Sequence, residues 1–121
     1  MLQETSGRWY SAEYWSFAID DEANKYRLHG DGYSGDAGDG LHVTDGGYYM
    51  TDGMSFSTYD QDNDNWSGAS CAASYSAGFW YNNCYWWCLT CEPSRNWDWH
   101  ASQGEEHSVL SASRMMIKPQ Y

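Results

Sequence analysis

All four cysteines of this 121-residue chain lie close together, at Cys71, Cys84, Cys88 and Cys91. An even number of cysteines in a short chain favours disulfide bonds, and with them an oxidising compartment. A chain of this length suits one domain, and it buries so modest a fraction of its surface that cross-links matter more than in a large protein. We therefore expect a single secreted, extracellular domain with disulfide bonds, whose four cysteines allow three pairings.

Large aromatic side chains supply most of the apolar surface, with eight Trp, eleven Tyr and three Phe. Most of the twelve glycines fall within residues 30–53, where we expect turns and irregular loops. The aromatic, breaker-free residues 9–19 predict a strand. Shorter strands are expected over residues 24–28, 54–58 and 114–118, the last preceded by a turn region at 108–113.

The net charge of −11 argues against two classes of partner. Nucleic acids and anionic membranes both attract proteins through positive charge, so neither is expected here. No run approaches the roughly 18 apolar residues of a membrane-spanning helix. The first residues lack the basic start and apolar core of a signal peptide, which predicts a mature fragment or an incomplete chain.

Alternate carboxylates mark residues 60–68, which read DQDNDNWSG. Carboxylates at this spacing on a tight loop can converge on a hard cation, and calcium prefers six to eight oxygen ligands. An EF-hand would need Gly at the sixth loop position and Glu at the twelfth, where this chain has Asn65 and Cys71. The pattern therefore predicts a calcium-type loop outside an EF-hand, with an exposed acidic turn as the alternative.

The cysteine spacings leave several chemistries open. Cys71 and Cys84 bracket a segment that a disulfide would close with a stabilisation of about 3 kcal/mol. Cys88 and Cys91 form a C-x-x-C, which in a zinc site would need two further ligands and in a redox site a βαβ setting. A small disulfide is favoured there, ahead of thiols that pair with a partner chain and of a metal. Motifs of nucleophilic, metalloprotease or phosphate-binding enzymes are absent, so we do not expect an enzyme.

Three features in order resemble fibrinogen-related domains, the family of fibrinogen chains, ficolins, tachylectins and angiopoietins. They are YSGDAGD at residues 33–39, GMSFSTYDQDND at residues 53–64, and the pair Cys71 and Cys84. The resemblance implies that residues 1–121 form one partial domain of this family. Residues 7–84 match the family best, and residues 85–107 are divergent and shortened. Residues 108–119 would contain the closing strand.

The resemblance implies an α+β fold, with a mainly antiparallel twisted sheet, long loops and few short helices, in a truncated fibrinogen C-terminal-like form. The family's calcium ligands would fall on the carboxylates of Asp62 and Asp64 and on the backbone carbonyls of Trp66 and Gly68. Its loop disulfide would join Cys71 to Cys84.

The resemblance also implies a ligand pocket beside that disulfide. In lectin members an acetyl group sits in an aromatic pocket, and a cis peptide bond precedes the second cysteine. Of that pocket Tyr75 maps directly onto this chain, and the cis bond would fall at Asn83–Cys84; we expect the ligand-binding residues here to be Tyr75, Asn83, Cys84, Tyr85 and Trp86. This chain departs from the family in two respects: the family domain is close to twice as long, and a His and a long loop follow the second cysteine where Tyr85 and a short segment stand here.

Two functions follow from the resemblance. The first is a calcium-binding extracellular recognition module of lectin type, as used in innate immunity, which binds glycans or acetylated groups. The alternative is a structural subunit that pairs with another chain, or with a second copy in a homo-oligomer, through a sheet edge and exposed aromatic surface.

Overall fold

The structure is a computed structural model that describes residues 1–4, 6–43, 47–85, 87–91, 99–101, 105–108 and 110–119, with residues 99–101 and 105–108 described by their backbone. The elements are β1 (Leu2–Glu4), β2 (Trp9–Tyr10), β3 (Ala12–Ile19), a 3₁₀ helix (Glu22–Asn24), β4 (Leu28–Gly35), α1 (Cys71–Tyr75), β5 (Trp99–Ala101), β6 (Glu105–Ser108) and β7 (Leu110–Ser113). All strand pairs described are antiparallel and form a three-stranded sheet, β2-β1-β7, and two two-stranded sheets, β3-β4 and β5-β6. The predicted α+β class with few short helices is confirmed.

The strand predicted over residues 9–19 is present as β2 and β3. The prediction of a strand over residues 24–28 is wrong. Asp21 caps the 3₁₀ helix by accepting the backbone N–H of Asn24 at 3.1 Å. Lys25 and Tyr26 then take left-handed backbone conformations, with φ of 55° and 52°. These residues turn the chain back on itself, so β4 begins only at Leu28 and pairs with β3.

The prediction of turns and irregular loops over residues 30–53 is wrong for residues 30–35, because β4 continues to Gly35. Gly35 has a φ of 130° and faces Ser11, whose carbonyl occupies the place that a side chain at Gly35 would take. The absence of a Cβ therefore permits the last pairing of the sheet, between Ala12 and Gly35.

The closing strand lies earlier than predicted. Residues 110–113 form β7, where a turn was expected, and residues 114–118 carry no strand. β7 pairs with β1, and the buried Leu110 and Leu2 belong to the two paired strands. The predicted strand residues instead are exposed, at 50% for Met115, 68% for Met116 and 71% for Ile117. Burial of Leu2 and Leu110 favours pairing of β1 with residues 110–113, whereas the exposed residues 115–117 bury no apolar surface that would favour a strand there.

Residues 54–58 contribute isolated bridges and not the expected strand. Ser57 bridges Phe79, and Thr58 bridges Gln61. The carbonyl of Met54 accepts the N–H of Leu28 at 3.0 Å, so the segment runs along the start of β4.

The core forms around residues 79–81 and the two disulfide bonds. Tyr81 is fully buried, and the Trp80 ring packs edge-on against Phe56 with 5.1 Å between ring centroids. Trp80 and Tyr81 therefore fill the core and do not line a binding surface. Among the described residues, no helix is long and apolar enough to cross a membrane. The buried apolar residues are Leu2, Leu28, Ala37, Cys71, Ala72, Phe79, Trp80, Tyr81, Trp87, Cys88, Cys91 and Leu110.

Candidate functional site

The loop of residues 60–68, here called the cation loop, is held against neighbouring segments by hydrogen bonds from Asn63 and Asn65. Asn63 donates its N–H to Ser57 Oγ at 2.9 Å and its side-chain amide to the Phe56 carbonyl at 2.8 Å. Asn65 donates its N–H to the Asn82 carbonyl at 3.0 Å and its amide to Asn82 Oδ1 at 2.9 Å. The two asparagines of the alternating pattern thus anchor the loop between its aspartates.

The carboxylates of Asp62 and Asp64 accept hydrogen bonds from nearby backbone N–H groups. Asp64 accepts the N–H of Trp66 at one carboxylate oxygen and the N–H of Cys71 at the other, both at 2.8 Å. Asp62 accepts the N–H of Asp64 at 3.1 Å. Burial raises the pKa of the Asp64 carboxyl, and the adjoining Asp62 raises it further, while the hydrogen bonds from Cys71 and Trp66 lower it. The charge of Asp62 therefore disfavours ionisation of Asp64.

The other two predicted ligands offer backbone oxygens. They are the carbonyl groups of Trp66 and Gly68, in and beside the turn at residues 67–68. Across the same residues, no three His, Cys, Asp or Glu side chains are grouped to hold a metal. A cation at this loop would therefore take two carboxylates and complete its shell with carbonyl oxygens and water.

A disulfide bond joins the cation loop to the candidate pocket. Cys71, the first residue of α1, is bonded to Cys84, and the peptide bond between Asn83 and Cys84 is cis. The Cys71 N–H is also the donor to Asp64. The same buried cysteine thus donates to the carboxylate of one candidate site and is bonded through its sulfur to Cys84 of the other.

Three tyrosines cluster beside this disulfide. The half-buried rings of Tyr75 and Tyr85 meet edge-to-face with 4.8 Å between centroids. Tyr81 lies behind them, at 6.5 Å from Tyr75 and 6.2 Å from Tyr85. The structure therefore brings Tyr75, Cys84 and Tyr85 together, whereas Trp86 lies outside the described residues.

Sequence reasoning missed Asn82, which connects both candidate sites to a third segment. Its side chain is 5% exposed and donates to the carbonyls of Gly47 at 2.6 Å and Met50 at 3.1 Å. Its neighbour Asn83 donates its N–H to the Tyr48 carbonyl at 3.0 Å. A polar residue inside the aromatic run before Cys84 was the available signal, because a buried amide must find partners.

The second disulfide, between Cys88 and Cys91, lies against the buried hydroxyl of Tyr81. That hydroxyl donates to the Ala77 carbonyl at 2.9 Å and lies 3.7 Å and 3.5 Å from the two sulfur atoms. Burial raises the pKa of Tyr81, as do Tyr85, Tyr75 and Asp64 by their charges, so the phenol stays neutral. The C-x-x-C is therefore part of the core.

A shallow cleft of about 440 Å³ lies on the other side of α1. Tyr59, which is 80% exposed, is one of its walls, but the cleft contains none of the predicted ligand residues. It is lined by Thr58, Tyr59, Asp60, Ala72, Ala73, Ser76, Ala77 and Gly78.

Comparison with known proteins agrees with the resemblance. Residues 1–120 match the family model of the fibrinogen beta and gamma chains, C-terminal globular domain. Tenascin of Gallus gallus is 38% identical over 113 residues, which are 89% of this chain and 6% of tenascin. A techylectin-like protein of Phoneutria nigriventer is 49% identical over 78 residues, 61% of this chain and 30% of that protein.

Solved structures agree as well. The lamprey fibrin D-dimer, complexed with the peptide ligand Gly-His-Arg-Pro-amide, superimposes with a TM-score of 0.67 at 33% identity, over 73% of this chain and 30% of that chain. The fold and the sequence together define a fibrinogen-related domain. The chain belongs to the fibrinogen C-terminal domain family, and it spans about a third or less of the length of these relatives.

Proposed function

We propose that this chain is a calcium-binding extracellular recognition module that binds acetylated sugars beside the Cys71–Cys84 disulfide. One observation carries the proposal: Cys71 bonds both to Asp64 of the cation loop and, through its sulfur, to Cys84 at the tyrosine cluster. An ion that stiffens the loop would therefore also hold a wall of the pocket in place. Two disulfide bonds suit the oxidising compartment in which such modules work.

The residues of the cation loop fit calcium. Asp62 and Asp64 would supply two adjacent carboxylates, and Trp66 and Gly68 would supply backbone carbonyl oxygens. Hard oxygen ligands of this mixture are those that calcium prefers. When bound, the ion supplies positive charge that offsets the repulsion between the two aspartates.

The pocket suits an acetylated sugar. Tyr75 and Tyr85 present half-buried aromatic surface on which the methyl group of an acetamide and the CH groups of a pyranose can pack. Asn83 adds a partly exposed amide next to Cys84 for the polar atoms of the ligand. These groups bind without performing chemistry, so we propose recognition and not catalysis.

The proposal is tested by titrating N-acetylglucosamine into the protein in calcium, with tryptophan and tyrosine fluorescence as the readout. Glucose, which lacks the acetamide, is the matched ligand control. We expect saturable binding of N-acetylglucosamine, and about fivefold weaker binding in Tyr75→Ala, since aromatic contacts contribute on the order of 1 kcal/mol each. Tyr59→Ala removes an exposed ring outside the pocket and should bind normally. Absence of binding, or equal binding by Tyr75→Ala, would overturn the proposal.

A second candidate function is assembly with another chain. Strand β3 pairs with β4 alone among the described residues, which leaves one edge of an eight-residue strand for a partner. Met115, Met116 and Ile117 add exposed apolar surface. Light scattering with calcium and with EDTA separates the two functions: a monomer that binds the acetylated sugar supports recognition, whereas a stable oligomer without sugar binding supports assembly.

A further inference from the structure

His42 lies among more acceptors than a neutral imidazole can serve. Its Nδ1 is 2.9 Å from Asp39 Oδ2, and its Nε2 is 3.7 Å from Asp52 Oδ2. The backbone of Gly30 on β4 also acts to raise the pKa of the imidazole. A neutral imidazole carries one N–H, whereas the protonated ring carries two and is attracted to both carboxylates. The surroundings of His42 therefore favour its protonated, positively charged imidazole.

The groups that face His42 come from three parts of the fold. Asp39 is held by the hydroxyl of Tyr14 on β3 at 3.0 Å, and Asp52 accepts the N–H of Gly30 on β4 at 2.8 Å. Burial raises the pKa of Tyr14, as do the charge of Asp39 and the hydrogen bond to it, so the phenol is a neutral donor. The ionised groups around the imidazole are therefore the two aspartates.

The Asp52 side of this cluster continues into the candidate pocket. Residues 47–50, a few positions before Asp52, supply the three carbonyls that accept from Asn82 and Asn83. The bond from Asn83 to the Tyr48 carbonyl adjoins the residue that precedes Cys84 in the pocket wall. Attraction between His42 and Asp52 thus fastens one end of segment 47–53 while Asn82 and Asn83 bind the other.

We propose that His42 is a positioning residue whose protonated form fastens segment 47–53 and so orders the Asn82–Cys84 wall of the pocket. The effect on ligand affinity rests on the proposed function, whereas the effect on the segment does not. Recognition would therefore be stronger in mildly acidic surroundings than in alkaline ones.

The direction of the pH dependence follows from the balance at His42. Partial burial lowers the pKa of the imidazole, but the hydrogen bond and charge of Asp39, the charge of Asp52 and the backbone of Gly30 outweigh it, so the pKa is raised. The ordering of segment 47–53 by His42 is then fully present below the pKa of His42 in the unfolded chain, about 6.5. It is lost as the pH rises through the higher pKa of His42 in the folded protein.

Amide hydrogen exchange at Asn83, followed by NMR without calcium or sugar, tests the proposal. After correction for intrinsic exchange, we expect protection of the Asn83 N–H to fall about threefold or more between about pH 6 and pH 8 in the wild type, because the imidazole loses its proton as the pH rises. His42→Gln should abolish that fall. His29→Gln is the matched control, because His29 pairs with a single aspartate, Asp20, at 3.0 Å and should leave the fall intact.

Constant protection in the wild type, or the same fall in His42→Gln, would overturn the proposal. A second variant, Asp52→Asn, keeps the oxygen that accepts from Gly30 and removes only the charge. It should lower the NMR titration midpoint of His42, and an unchanged midpoint would also count against the proposal. A parallel N-acetylglucosamine titration at both pH values keeps the two hypotheses apart, since failure to bind at either pH refutes the proposed function and leaves the exchange result standing.

Discussion

The indole ring of Trp87 occupies the space that a side chain at Gly40 would fill, and Trp87 itself is 7% exposed. Gly40 follows Asp39 in the loop that holds His42, whereas Trp87 belongs to the segment after Cys84 that departs from the family pattern. The divergent segment therefore packs back onto the loop next to the candidate pocket. Cys88 and Cys91 join immediately beyond it.

Gly40→Ala tests this packing. The new methyl group would enter the rigid indole of Trp87, and overpacking of this kind costs about 1–3 kcal/mol. Urea denaturation should show the loss. Gly68→Ala is the control, because its nearest neighbour would lie 3.7 Å away in ordinary van der Waals contact. Its stability should change by less than about 0.5 kcal/mol. Equal stabilities of the two variants would contradict the contact.

Tyr81→Phe removes the buried hydroxyl over the second disulfide. The Ala77 carbonyl, which belongs to a residue lining the cleft, would lose its donor at 2.9 Å, and loss of a hydrogen bond of this kind costs about 0.5–1.5 kcal/mol. Tyr59→Phe, at an 80% exposed position, should be neutral. Thermal and urea unfolding measure both variants, and a neutral Tyr81→Phe would mean that the hydroxyl is not bonded as described.

The two disulfide bonds should differ in their contributions to stability. They close sequence separations of 13 and 3 residues, for which the chain-entropy model gives about 3 and about 2 kcal/mol. The double substitution Cys71→Ala with Cys84→Ala should therefore destabilise more than Cys88→Ala with Cys91→Ala in denaturant titrations. The reverse order would show that core packing around the second pair outweighs loop closure.

Local pattern predicted β3 because such a strand depends on residues near one another in sequence; the same kind of pattern is the basis of the calcium-type loop, which stays a prediction. Aromatic, breaker-free composition suffices for a strand, and the alternation of Asp62 and Asp64 with asparagines is visible in the chain itself. The strand over residues 24–28 failed because the capping of Asn24 by Asp21 and the left-handed backbone at Lys25 decide the path there.

The remaining features depend on contacts between residues distant in sequence. β7 is defined by pairing with β1 at the opposite end of the chain, which no local pattern at residues 110–118 contains. The partners of Asn82 and His42 lie on separate loops, so their roles appear only in the folded structure. Of the candidate site, the ligand types followed from sequence, whereas the links between the cation loop, the disulfide and segment 47–53 did not.

Calorimetric titration of calcium into the purified chain tests the central claim most directly. We expect one ion per chain in the wild type, and unchanged stoichiometry in Asp60→Asn, which alters a carboxylate of the same loop outside the proposed ligand set. The double variant Asp62→Asn with Asp64→Asn should bind none and should lose the rise in melting temperature that calcium gives the wild type. A wild type that takes up no calcium, or a double variant that binds it as well as the wild type, would contradict the account.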